Sequence, residues 1–193
     1  MEGRKGPQYS NWVSYKIVGA GALATLILLL AARFTVKQSH LIAALLLVGM
    51  FIALAMTFYM ARARTALSYE RGGVQGMVLD GVKNQLKKAG WDGRGKVLDI
   101  GCGSGALSIK IAKDNPHARV TGIDYWGSQW DYSQALCESN AKIEGVSARV
   151  EFRKGDAAKL PYLDGVFDAA VSNFVFHEVR TQPDKLALVK EAL

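Results

Sequence analysis

Three glycines at alternate positions, Gly101, Gly103 and Gly105, follow the strand-forming run KVLDI and lead straight into a helical pattern. Glycine weakens both strands and helices. Three of them at a strand-to-helix junction therefore mark a tight turn where a ligand approaches the backbone. The first turn of the helix that follows offers unpaired N–H groups, which suit a ligand with polar groups. Gly101, Gly103 and Ala106 also satisfy the loose dinucleotide pattern GxGxx[GA]. Asp124, at the end of the next strand pattern, is an acidic residue about 20 positions on, suited to a ribose diol. These two features fit NAD and other adenosine-containing cofactors alike.

Three further places separate the ligands. Asp99, two positions before Gly101, adds negative charge where a pyrophosphate would lie, and suits a cationic group instead. Asp156, after the third strand pattern, can accept from an adenine amino group, with the Ala157 N–H as the complementary donor. SNFVFHEV, residues 172–179, ends the fourth strand pattern with polar and aromatic groups where a reaction would occur. An amino-acid end, a diol and an adenine together describe S-adenosylmethionine.

VLDIGCGSG, GIDYW and GDAAKLPYLDGVFDAAVSNFVFHEV, in this order, resemble the class I S-adenosylmethionine-dependent methyltransferases, in particular the small-molecule group called type 11. The resemblance covers Trp91 to Leu193. It implies that Asp99, Gly101, Gly103 and Gly105 hold the methionine end and that Asp124 binds the ribose hydroxyls. It also implies that Asp156 and Ala157 flank the adenine, and that Asn173 lies beside the cofactor's amino-acid part. Tyr125, next to Asp124, is a candidate to stack near the adenosine, and His177, with Glu178, a candidate general base. Such domains carry a seven-stranded sheet, whereas this chain reaches Leu193 one helix after its fourth strand pattern. The expectation is therefore a C-terminally truncated domain. A nicotinamide-dependent oxidoreductase, or a cofactor-binding module without turnover, are the alternatives.

The elements that must position these residues alternate along the chain. An amphipathic helix carries Val74, Met77, Val78, Val82 and Leu86 at helical spacing, with Gly90 as its stop. Strand patterns follow at KVLDI, Ala118–Tyr125, 148–157 and Phe167–Phe176, with helices from Gly105 and over 128–145 after the first two and a final helix over 184–193. This alternation predicts an α/β fold, a doubly wound, mainly parallel Rossmann-like sheet with four strands present. Trp130, Tyr132 and Cys137 read as packing residues of the second of those helices.

Two uncharged runs precede this region, Ile17–Ala32, extended back to Val13, and Leu41–Ala61. Each is about the 20 residues a helix needs to cross a bilayer. The expected organisation is a membrane hairpin over 1–61, with spans at about 13–32 and 41–61, a juxtamembrane linker over 62–73, and a partial cofactor-binding domain over 74–193. Arg4, Lys5 and Lys16 precede the first span, and Arg62, Arg64 and Arg71 follow the second. Only Arg33 and Lys37 lie between them, so Lys/Arg placement puts both ends in the cytoplasm. Trp12, Tyr15, Phe58 and Tyr59 sit at the corresponding boundaries.

Charge follows the same division. The formal net charge is +7, yet up to Gly90 there are 11 Lys/Arg against 3 Asp/Glu, and from Trp91 on 13 against 14. The basic excess flanks the apolar runs and is absent from the α/β region, which argues against nucleic acid as a partner. His40, His117 and His177 lie in separate segments, without the spacing of a metal site. Cys102 and Cys137 are expected to be reduced thiols. The expected partners are a membrane and a small or lipidic methyl acceptor.

Overall fold

The computed structural model describes residues 6–9, 11, 13–69, 73–127 and 132–193. Arg4, Lys5, Trp12, Arg71 and Trp130, which the sequence singles out, lie outside the described residues. The chain divides into two compact units, Asn11–Gly76 and, forming the other, Met1–Ser10 with Met77–Leu193. Residues 6–9 thus group with the α/β region, although in sequence they precede the first apolar run.

The first unit is built on α1 (Tyr15–Thr35) and α2 (His40–Ala66). Ser14 and Ser39 cap their N-termini through hydroxyls that accept from Lys16 N and Ile42 N. The buried residues of these helices are Ala32 in the first and Ala43 and Met50 in the second. Leucine, isoleucine and phenylalanine side chains stay exposed along both. A β-carbon at Gly21 would overlap Thr57 Oγ1, and one at Gly49 would touch Leu28 Cδ1 at 3.8 Å, so the two helices approach closely at these glycines. At the far end of α2, Arg64 donates to Val13 O and lies 3.3 Å from the Tyr15 ring centroid, and Asn11 donates to Arg64 O at 2.7 Å. Both helices are long and apolar enough to cross a membrane. The second runs five residues beyond the expected Ala61, into what reads as linker.

α3 (Val74–Lys88) opens the α/β region. Its buried residues are Gln75, Leu79 and Leu86, while Val74 and Met77 of the expected apolar stripe are exposed. Lys83 pairs with Asp114, and Asp80 with Lys110 at 3.1 Å, so charged groups fasten it to the helix over Ala106–Asp114. β1 (Arg94–Ile100), α4 (Ala106–Asp114), β2 (His117–Asp124), α5 (Gln134–Ile143), β3 (Val150–Lys154), β4 (Ala169–Ser172) and α6 (Lys185–Glu191) follow. The strands form a four-stranded parallel sheet in the order β3-β2-β1-β4, which is the α/β architecture expected. β1 lies in the middle because Val97, Leu98, Asp99 and Ile100 are all buried. Leu98, Ile100 and Ile123 form a core cluster on one face, covered by Leu160, Tyr162, Phe167 and Phe176. The alternate residues of β1 turn to the other face, where Asp99 meets Ser108 of α4.

Candidate functional site

In a parallel sheet the carboxyl ends of the strands define the ligand crevice. Gly101–Gly105 leaves β1 there, held to its neighbour because Gly101 N and Cys102 N both donate to Ile123 O, at 2.7 and 3.1 Å. The three glycines have different reasons to be glycine. A β-carbon at Gly101 would overlap Val175 Cγ2, and one at Gly105 would lie 2.8 Å from Phe152 Cζ. Both positions are closed by the protein's own packing. Only at Gly103 (φ 57°) does the nearest atom, on the Tyr132 ring, stand at an ordinary 3.6 Å. The missing β-carbons of Gly101 and Gly105 thus make room for core side chains, whereas a β-carbon at Gly103 would only touch the Tyr132 ring.

Asp124 closes the other side. Its Oδ2 accepts from Gly103 N at 2.8 Å and its Oδ1 from Trp126 N at 2.8 Å. Trp126 (φ 47°) in turn donates its indole Nε1 to Gly103 O at 2.9 Å. These bonds use two of the roughly four acceptor sites of a carboxylate, and the rest remain for a diol. Tyr125 points outward, 64% exposed, with Lys154 Nζ 5.4 Å from its ring centroid.

Asp99 lies beneath the turn and not on its surface. It is 1% exposed, and Ser108 Oγ donates to its Oδ2 at 2.5 Å. Burial pushes its carboxyl up to about 7, the charge of Asp124 adds to the shift, and the Ser108 hydroxyl opposes it. Gly155 N donates to Asp124 O at 2.9 Å, which brings the end of β3 into the crevice. There Asp156 Oδ1 accepts from Ala158 N at 2.9 Å and Thr181 Oγ1 at 3.1 Å, and Ala157 packs against the core cluster. Beyond β4, Ser172 Oγ donates to Ile100 O at 3.1 Å, Phe174 takes φ 54°, and Val175 folds over Gly101. Asn173 directly follows Ser172, which pairs with Ile100 at the end of β1. His177 stands further out, its side chain 62% exposed, with Nε2 3.3 Å from Glu178 Oε1.

Sequence reasoning missed the contribution of α5. Cys137 Sγ donates to Gly103 O at 3.1 Å, and Asn140 Nδ2 to Ser104 O at 3.1 Å. The two residues are one turn apart and share a face. Cys102 and Cys137 are both buried free thiols.

The crevice thus offers backbone amides and the Asp124 carboxylate, with Asp99 buried beneath the turn. That electrostatic balance fits a cationic ligand with a diol better than a diphosphate, and the residues present fit S-adenosylmethionine.

Comparison with known proteins agrees. The family model described as "Methyltransferase domain" matches residues 97–193, just over half of the chain. The release factor glutamine methyltransferase of Chlorobaculum tepidum is 34% identical over 128 residues, which are 58% of this chain and 42% of that protein. The demethylmenaquinone methyltransferase of Lactobacillus johnsonii is 32% identical over 95 residues, 49% of this chain and 36% of that one. Among solved structures, an S-adenosylmethionine-dependent methyltransferase from Geobacter sulfurreducens, crystallised with S-adenosyl-L-homocysteine, is 25% identical with a TM-score of 0.46, covering 60% of this chain and 43% of that one. The chain spans less than half the length of each of these proteins. The family match decides between the two readings that the glycine pattern and Asp124 leave open, and the nicotinamide alternative gives way.

Proposed function

Because this chain belongs to the methyltransferase-domain family of S-adenosylmethionine-dependent enzymes, we propose that it is a membrane-anchored methyltransferase acting on a small, lipidic acceptor. The observation that carries the reading is the hydrogen bond from Gly103 N, in the glycine turn, to the Asp124 carboxylate at 2.8 Å.

When bound, S-adenosylmethionine supplies a methyl group on a sulfonium, which an acceptor nucleophile takes in an in-line displacement. The chain's own residues align and hold. Asp124 accepts from a diol with the lone pairs that Gly103 N and Trp126 N leave unused. Gly103 permits close approach to the backbone. Asp156 and Ala157 border the base, Tyr125 offers a ring beside it, and Asn173 borders the amino-acid end. Asp99, when ionised, adds negative charge beneath that end. His177, with Glu178 beside it, is positioned after β4 to take a proton from an acceptor that arrives protonated.

The lipidic acceptor and the membrane rest on α1 and α2, whose apolar side chains stay exposed along two helices of bilayer-spanning length. Anchoring raises the effective concentration of enzyme near a bilayer-borne substrate. A relative named for demethylmenaquinone is in keeping with this. Lys16, Arg62 and Arg64 at the outer ends of the helices, against Arg33 and Lys37 between them, favour a cytoplasmic α/β unit.

The test is transfer of labelled methyl from S-adenosylmethionine by the full chain in lipid nanodiscs supplied with a host lipid extract, with mass spectrometry of the products. Label in an apolar product is expected. Label confined to water-soluble products, or no transfer, overturns the acceptor class or the activity respectively.

A further inference from the structure

Asn140 is a polar residue in the last turn of a helix, 1% exposed, and every hydrogen-bonding group of its amide is engaged. Its Oδ1 accepts from Gln8 N at 2.7 Å. Its Nδ2 donates to Gln8 O at 2.9 Å and to Ser104 O at 3.1 Å. One buried amide therefore joins two segments that are remote in sequence: residues 6–9, just ahead of the first apolar helix, and the glycine turn. Tyr9 reinforces the first contact, with its hydroxyl donating to Glu144 Oε1 at 3.2 Å. Glu144 is itself paired with Lys113 of α4. Gln8 takes part in the Asn140 contact through its backbone, with its side chain exposed, so the recognition resides in Asn140.

A buried amide costs free energy unless its donors and acceptor are satisfied. Without residues 6–9, Asn140 loses two of its three bonds, and its side chain gains freedom to leave Ser104 O. Ser104 lies between Gly103, whose N–H is held by Asp124, and Gly105, which is locked by Phe152. The orientation of its carbonyl governs the part of the turn that a ligand meets.

We propose that Asn140 is a positioning residue that couples docking of residues 6–9 to cofactor affinity at the glycine turn. The segment before the first apolar helix then acts as a strap that completes the crevice from behind. This rests on the cofactor reading above. Coupling is reciprocal: if the docked strap favours ligand, bound ligand holds the strap.

The experiment uses the full chain in detergent, S-adenosylhomocysteine as the probe, calorimetry for affinity and hydrogen exchange for the strap. Gln8→Pro removes the donor N–H while leaving Asn140 and Ser104 in place. It is expected to weaken the probe by about 5-fold or more, the lower range of allosteric coupling, with the unfolding midpoint of the α/β unit close to that of the parent. In the parent, saturating probe is expected to slow exchange of the Gln8 amide, and in Asn140→Ala to leave it unchanged. Equal affinities for the parent and Gln8→Pro, with Gln8 exchange indifferent to bound probe, overturn the proposal and leave the cofactor reading intact. A folded parent that binds no probe overturns both.

Discussion

The carboxylate of Asp124 and the backbone N–H of Gly103 lie 2.8 Å apart, so the end of β2 holds the middle of the turn that leaves β1. Register explains the meeting. Ile100 pairs with Ile123, so the first residues past each pair, Gly101 and Asp124, emerge side by side. A ligand at this turn must also meet this carboxylate.

Asp124→Ala removes both the acceptor for a diol and the bonds to Gly103 N and Trp126 N. Charged hydrogen bonds contribute about 1.5–3 kcal/mol each, so affinity for S-adenosylhomocysteine should fall by roughly 10- to 100-fold. Titration calorimetry on the folded variant measures this, and an affinity within two-fold of the parent contradicts the assigned role.

Gly105→Ala and Gly103→Ala should separate by mechanism. At Gly105 (φ 79°) the new methyl would meet Phe152 Cζ at 2.8 Å, so overpacking adds to left-handed strain, about 2–4 kcal/mol together. At Gly103 only the strain applies, about 1–2 kcal/mol. Thermal unfolding should show the larger loss at Gly105, and ligand titration the more specific loss of affinity at Gly103.

Asp99 should make the α/β unit less stable as pH rises. Its folded value is about 7 against an ordinary 3.8. Between these values the native state binds a proton that the unfolded chain has lost. Stability therefore falls from about pH 4 to pH 7, by up to roughly 4 kcal/mol for a three-unit shift. Asp99→Asn removes this component, so its stability relative to the parent should rise between about pH 4 and pH 7. A constant difference between the two proteins across that range would count against a raised Asp99.

Tyr162 buries a hydroxyl with no hydrogen-bond partner among the described residues, while its ring packs edge-on against Phe167 at 4.9 Å. Tyr162→Phe keeps the packing and removes the unsatisfied group. Thermal unfolding should be unchanged or raised by up to about 1 kcal/mol, and a clear loss of stability would mean that the hydroxyl has a partner.

How much of this was legible in the sequence varies with the range of the interaction that decides each feature. Strand KVLDI, the glycine turn and Asp124 could be read because burial, φ and strand-end position are local signals. Boundaries were read less well. The fourth strand stops at Ser172 because Phe174 turns to a positive φ and Val175 folds over Gly101. α5 begins at Gln134, where the Ser133 hydroxyl accepts from Leu136 N and caps it. In α3 the expected stripe is only partly buried: Leu86 is buried and Val74 and Met77 are exposed, while Leu79, outside the stripe, is buried. Asn140 carried no signal at all. A polar residue near a helix end reads as solvated, and its partners lie 36 and 132 positions away.

The central claim is that the crevice between Gly103 and Asp124 receives an adenosyl sulfur compound. Parallel calorimetric titration of the folded full chain with S-adenosylhomocysteine and with NADH tests it most directly. The account predicts saturable heat with S-adenosylhomocysteine, lost in Asp124→Ala, and none with NADH. Saturable NADH binding that S-adenosylhomocysteine fails to displace would contradict it.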